Sequence, residues 1–266
     1  MPWCACATPG RGWDQAVYQH RSTDANETVK AFLLAAGHGT RLRPLTDRIP
    51  KCLVPIRGVP ILAIWLEICR RHGVDEVLVN LHSQPQLVRD FLAKSQGDTR
   101  VRLFEEPVLL GSAGTLRANR AWVASESSFW VLYADILTTA NLTRMADFHR
   151  QHLGAATLGV CRVPDPSRSG IAVVDEGSVV RQFIEKPENP PDNLAFGGIL
   201  LARPGLLDSI PEEGPADLGR DVLPRLVNRM FAYLIDDYHL DIGTQESYLA
   251  AQTDWPGLAA PTRALP

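Results

Sequence analysis

Four residues early in the chain have the types and spacing to hold a string of phosphates: Gly37, Gly39, Arg41 and Lys51. Gly37 and Gly39 carry no Cβ, so backbone N–H groups there can approach an anion closely and φ can turn positive. Arg41 adds a planar cationic fork that matches phosphate oxygens. Lys51 follows Pro50, a stiff residue that delivers the ammonium from the far end of the same loop. Two carboxylates further on could join them. Asp135 comes just after the apolar run Phe129–Tyr133, at the carboxyl end of an expected strand, and Asp241 lies between Leu240 and Ile242. Taken singly, each aspartate reads first as a cap or turn residue, and Glu185-Lys186 as a surface charge pair at a strand end.

The elements that must position these groups are legible from periodicity. Residues 29–36 form an apolar run that reads as a buried strand, and the loop 37–50 begins where it ends. Open α/β sheets bind ligands beyond the carboxyl ends of their strands. Ile61, Ile64, Trp65, Ile68 and Cys69 recur at helical spacing, with Pro60 at the start and Gly73 at the stop. Strands are expected at 77–79, 101–104 and 129–133, and helices at 85–93 and 115–122. In the first of these helices Leu87, Val88, Phe91 and Leu92 share one side. Such alternation gives a mostly parallel sheet covered on both faces, with right-handed connections. After Thr157 the pattern changes, and residues 170–174 and 179–184 read as a hairpin turning at 175–178. The expected organisation is a mobile leader at 1–28, one α/β domain at 29–255 and a tail at 256–266.

Composition narrows the function classes. The 266 residues carry a net charge of -3, which argues against a nucleic-acid binder. No apolar run approaches the roughly 20 residues that span a bilayer, and the first 28 residues hold no h-region of about 7–15 apolar residues. Neither a membrane partner nor secretion is expected, and the cytoplasm is the expected compartment. The five cysteines, Cys4, Cys6, Cys52, Cys69 and Cys161, read as reduced thiols. Cys4 and Cys6 have no second ligand pair nearby that would complete a metal site.

The phosphate loop fits neither common nucleotide template, lacking the third glycine of the dinucleotide fingerprint and the Gly-Lys-Ser/Thr of a P-loop. The whole string is more specific. Residues 37–46, GHGTRLRPLT, followed by Pro50-Lys51, resemble the signature of the sugar nucleotidyltransferase (nucleotide-diphospho-sugar pyrophosphorylase) family. The resemblance covers most of residues 29–252 and takes in residues 55–61, 106–116, 134–136, 185–187, 219–224 and 241–244 in the family's order. It is nearest to the short mannose-1-phosphate guanylyltransferase-like branch.

The resemblance implies a Rossmann-like, mixed but mostly parallel sheet flanked by helices, without a C-terminal β-helix domain. It implies an enzyme that joins a nucleoside triphosphate to a sugar or cyclitol 1-phosphate and releases pyrophosphate. GTP is the favoured donor, with thymine or cytosine nucleotides as alternatives, including a glucose-1-phosphate thymidylyltransferase-like activity. Arg41, Lys51 and Asp135 would carry catalysis. Leu34, Ala36, Gly37, Gly39 and Thr40 would hold the nucleotide, with Gln84, Gly111 and Gly114 as walls for the base. Lys186 would bind the sugar phosphate and Glu185 its hydroxyls, beside Phe196 and Gly198. Asp135 and Asp241 would hold Mg²⁺, an ion that takes one or two carboxylates and fills its shell with phosphate and water oxygens.

The chain departs from the family pattern in three places. Ala134 stands where glycine is usual, Ser169 where an aromatic residue is usual, and Phe196 where this branch has asparagine. An apolar ring at 196 removes a polar partner and should favour a modified sugar or a cyclitol phosphate over mannose 1-phosphate. Three rival readings fit the residues less well. A non-catalytic nucleotide-sugar-binding regulator would not need its phosphate loop and both aspartates intact. A dinucleotide oxidoreductase lacks the acidic residue about 20 positions after the loop. A glycosyltransferase need not bind leaving pyrophosphate. A homo-oligomer remains open.

Overall fold

A computed structural model of the chain describes residues 28–95 and 99–258. Residues 1–27 of the expected leader, with Cys4 and Cys6, and the tail from 259 lie outside the described residues. The first strand, β1 (Lys30–Leu34), buries Ala31, Phe32 and Leu33 completely. A run apolar on both faces suits the middle of a parallel sheet. β1 is indeed flanked on both sides by parallel neighbours, β4 (Glu76–Leu81) and β6 (Phe129–Tyr133). β5 (Arg100–Glu105) continues the parallel set beyond β4. The carboxyl ends of all four strands therefore open on one rim.

Beyond β6 the direction changes. β11 (Leu194–Ala202) runs antiparallel to β6 and also pairs β8 (Ala156–Arg162) and β9 (Gly170–Val174). It spans these partners because its pairing with β8 shifts register between Phe196 and Leu200. β9 and β10 (Val180–Glu185) form the expected hairpin, and β12 (Met230–Leu234) runs parallel to β8. The result is a nine-stranded mixed sheet, parallel in its N-terminal half.

Helices cover both faces. α1 (Ile61–Arg71) buries the apolar stripe read from the sequence, and its Trp65 Nε1 donates to the Ile136 carbonyl at 2.8 Å. α2 (Pro85–Lys94) lies shallower, with Val88 buried and Leu87 exposed. The single helix expected at 115–122 starts earlier and is broken. α3 (Ser112–Ala118) ends at Asn119, whose Nδ2 donates back to the Thr115 carbonyl, and α4 (Arg120–Val123) follows. α5 (Leu142–Arg150) is capped by Asn141, and α6 (Gln245–Asp254) by a reciprocal Thr244–Ser247 pair.

Two short sheets complete the frame. β2 (Pro55–Ile56) and β3 (Val59–Pro60) make a small hairpin. β7 (Ile136–Thr138) pairs antiparallel with β13 (His239–Asp241), and this second contact joins the two distant aspartates.

Candidate active site

β1 and β6 end side by side, and the Ala134 N–H donates to the Leu34 carbonyl at 3.0 Å, carrying the ladder one step past the strands. Asp135 is thereby fixed on the rim. Lys51 opens a short 3-10 turn that Pro50 introduces, and it is nearly buried, 9% exposed. Its Nζ meets Asp135 Oδ2 at 2.7 Å. Two cavities meet here, one of about 270 Å³ and one of about 960 Å³. Asp135 and Tyr133 line both.

The register of β7 with β13 sets Ile136 opposite Asp241. The Ile242 N–H donates to the Asp135 carbonyl at 2.8 Å. Desolvation by the cleft walls holds the Asp241 carboxyl above its usual range, the charge of Asp135 adds to the rise, and Lys51, Arg41 and Arg168 oppose it. Arg41 reaches the same place from the phosphate loop. A Cβ built on Gly243 would lie 2.8 Å from both Arg41 Nη2 and Asp241 Oδ1, so both side chains rest over that glycine.

Two carboxylates that repel each other across a backbone bond form a hard oxygen pair with room for a cation's charge. Among the described residues no cluster of three His, Cys, Asp or Glu makes an all-protein metal cage. The donor set fits a divalent ion that takes two carboxylates and borrows its remaining ligands from phosphate and water.

The smaller cavity is walled by Leu34, Ala36, Gly37 and Gly111 from the expected set, together with Asn80, Glu106 and Ser112. Asn80 and Glu106 are 4% and 3% exposed, and their polar atoms are paired. Asn80 Oδ1 accepts from the Ala35 N–H at 2.6 Å, and its Nδ2 donates to Glu106 Oε1 at 2.8 Å. Glu106 also accepts from the Thr115 hydroxyl at 2.6 Å and the Leu110 N–H at 3.0 Å. Asn80 opens the stretch 80–84 expected as a wall for the base, and Glu106 opens the motif 106–116, but the bond between them was not legible from sequence. The readable signal was a lone asparagine among the buried residues of β4, because buried amides need partners.

Four expected nucleotide contacts line neither cavity. Gly39 adopts a left-handed φ of 62°, and a Cβ there would strike Thr46 Cγ2 at 2.9 Å. Its carbonyl accepts from the Thr46 hydroxyl, so it shapes the loop. Thr40 is exposed at the head of a 3-10 turn. Gly114 packs within α3 against Leu110 and Ala216. Gln84 caps α2, and its Nε2 donates to the Asp47 carbonyl at 3.2 Å, which ties the phosphate loop to α2. Gly111 does reach the cavity. Its φ is 78°, and a Cβ would lie 2.4 Å from the Ala216 carbonyl oxygen.

The larger cavity gathers Glu185, Lys186, Phe196 and Gly198 with Arg41, Asp135 and Asp241. Glu185 fits because two neighbours lack side chains: its Oε2 would lie 2.7 Å from a Cβ on Gly170 and 2.4 Å from one on Gly219. Burial raises its carboxyl above the usual range; Lys186, whose Nζ lies 3.6 Å from Oε1, opposes the rise, and Asp217 adds to it. Phe196 meets Tyr133 edge to face at 5.6 Å, so this wall is aromatic. Gly198, at φ 71°, lets β11 pass within contact of Tyr133 and Ile136. His239 also lines the cavity. Burial lowers its pKa to about 4, and its Nε2 has no partner among the described residues.

The described helices include none long and apolar enough to cross a membrane. Comparison with known proteins adds an independent line. The family model described as nucleotidyl transferase matches residues 30–256. The chain is 35% identical over 228 residues to a probable mannose-1-phosphate guanylyltransferase of Oryza sativa subsp. japonica, covering 83% of this chain and 63% of that protein. It is 31% identical over 246 residues to the mannose-1-phosphate guanylyltransferase of Mycobacterium tuberculosis, covering 91% of this chain and 68% of that one. The fold resembles the crystal structure of UDP-glucose pyrophosphorylase complexed with UDP-glucose, with a TM-score of 0.75 at 20% identity, covering 86% of this chain and 98% of the other.

Proposed function

The chain belongs to the nucleotidyl transferase family, and from that premise we propose that it joins a nucleoside triphosphate, GTP by preference, to a sugar or cyclitol 1-phosphate and releases pyrophosphate. The observation that carries the reading is the place of Asp135, on the wall shared by both cavities and paired with Lys51. The smaller cavity takes the nucleotide and the larger one the acceptor. GTP is favoured by the guanylyltransferase names of the relatives.

In the reaction an oxygen of the acceptor phosphate forms a bond to the α-phosphorus, and the bond from that phosphorus to the bridging oxygen of pyrophosphate breaks. A phosphate monoester has its second pKa at about 6, so the nucleophile is already anionic near neutral pH and needs no protein base. The chain's task is to position two anions and offset their repulsion. Arg41 and Lys51 stabilise the charge that grows on the pyrophosphate side, and Gly37 exposes backbone N–H groups to the phosphates. Lys186 holds the acceptor phosphate, and Glu185, kept in place by Gly170 and Gly219, accepts from acceptor hydroxyls. Asp135 and Asp241 would hold Mg²⁺, which when bound neutralises phosphate charge and polarises phosphoryl oxygens.

The aromatic wall of Phe196 and Tyr133 leaves one side of the acceptor without polar partners. An acceptor with an apolar face, such as a modified sugar or a cyclitol phosphate, should therefore outperform mannose 1-phosphate. The chain spans 63% of the length of the rice relative it matches, and the proposal concerns the activity of this domain. A matrix of triphosphates against sugar and cyclitol 1-phosphates with Mg²⁺, read by pyrophosphate release, tests it. Release with at least one pair, and most with GTP, is expected. Silence across the whole matrix defeats the reading, and mannose 1-phosphate as the best acceptor defeats its finer part.

A further inference from the structure

Arg168 stands at the end of a 3-10 turn, Pro166–Arg168, held by Asp165, whose Oδ1 accepts from the Ser167 N–H at 3.2 Å and its hydroxyl at 2.6 Å. The next residue, Ser169, accepts from the Lys186 N–H at 3.0 Å. The backbone thus brings two cationic residues, Arg168 and Lys186, to adjoining positions, and both line the 960 Å³ cavity.

Their neighbours are already engaged. Arg162, on the same cavity wall, donates to Asn193 Oδ1 at 2.9 Å, and Arg220 is paired with Asp221. The Arg168 guanidinium makes no hydrogen bond or ion pair with any described residue. It lines the larger cavity together with Asp241, whose carboxyl its charge helps to hold down. Two cationic residues on adjoining stretches of one cavity wall suit a single anion placed between them. Lys51 lines the smaller cavity on the other side of Asp135, and Arg41, on the wall of the larger one, rests over Gly243 beside Asp241.

Resting on the transfer reading above, we infer that Arg168 binds the acceptor's phosphate together with Lys186 and aims its attacking oxygen at the Asp135–Asp241 junction. The planar fork takes two phosphate oxygens at once, which a single ammonium does not do. Lys186 supplies charge from one side and Arg168 supplies charge and direction from the other. No sequence motif announces the residue, since an arginine before Ser169-Gly170 reads as a solvated turn.

The test compares wild type, Arg168→Ala and Arg168→Lys. Circular dichroism first establishes that all three fold alike. In steady state Arg168→Ala should raise KM for the acceptor phosphate about tenfold or more, the scale of one charge-assisted hydrogen bond, and leave KM for the triphosphate within about twofold. Arg168→Lys should recover part of the loss. Inorganic phosphate should compete with the acceptor in wild type and lose potency in Arg168→Ala. An unchanged acceptor KM, or an equal rise in both KM values, overturns the inference.

Calorimetric titration of mannose 1-phosphate, myo-inositol 1-phosphate and inorganic phosphate, with and without a non-hydrolysable GTP analogue, reads the same seat without turnover. Weaker binding by Arg168→Ala than by wild type, together with no pyrophosphate release by wild type, would sink the transfer reading and spare the seat. Binding that is equal in both proteins, or absent from wild type, would sink the seat.

Discussion

On the Leu34 side of Asp135 the cavity wall is backbone, small side chains and one buried polar network, Asn80–Glu106–Thr115, in which each member has its partners. On the Phe196 side charged side chains stand among small and aromatic ones, with two carboxyls held above their usual range and an imidazole nitrogen that has no hydrogen-bond partner among the described residues. The polar network of the first cavity is completed by folding, whereas the second keeps polar groups that a ligand could still engage. Substitutions in the first should therefore cost stability, and substitutions in the second should change affinity and selectivity with little effect on the fold.

The largest effect belongs to the border between them. Lys51→Ala and Asp135→Asn should each slow turnover by about 10²-fold or more, the scale of losing one transition-state charge partner. Near-native rates at matched Mg²⁺ would contradict the assignment. Asn80→Leu tests the finished side. It leaves the Ala35 N–H without its acceptor and the Glu106 carboxylate short of a donor, and should lower unfolding free energy by roughly 3 kcal/mol. A urea midpoint equal to wild type would break the contrast.

Phe196→Asn tests the unfinished side. The ratio of kcat/KM for mannose 1-phosphate over a cyclitol phosphate should rise about tenfold, with stability little changed. A change in stability without a change in the ratio would reverse the comparison.

The smallest effect lies away from both cavities. His149 and His152 share the Thr157 hydroxyl at 2.8 Å, and burial lowers their pKa values to about 3 and about 4. Both stay neutral in the fold, while the unfolded chain takes up protons near pH 6.5. Their contribution is therefore complete above about pH 6.5 and is lost as pH falls toward 4. The thermal midpoint should fall between pH 7 and pH 5, and His152→Phe should flatten that decline. A midpoint insensitive to pH over this interval counts against it.

The parallel half of the sheet was legible because β1 and β6 read as apolar runs buried on both faces and β4 holds the apolar core Val77–Val79. The nearness of Lys51 to Asp135 could be expected because both lie in long motifs. α6 was not, since Ala251 is its one fully buried residue and no apolar stripe marks it. β7 and β13 are three residues each, too short for periodicity to register. At Gly39 and Gly114 the sequence left the reason for glycine open, because a glycine that admits a neighbouring group looks the same in sequence as one that admits a ligand. Asp217 and Arg168 enter the acceptor cavity through non-local packing, which no local pattern encodes.

The backbone bond from Ile242 to Asp135 has a consequence for biosynthesis. A ribosome that has released only the first two hundred residues has already made the phosphate loop, Lys51 and Asp135, yet β7 still waits for β13. The second aspartate emerges about a hundred residues after the first, so a nascent chain between the two lengths carries only one of the carboxylates proposed to hold the ion. Pairing of β13 with β7 and docking of α6 follow once residues 239–254 are made, and termination shortly before residue 241 should leave Asp135 without its proposed partner.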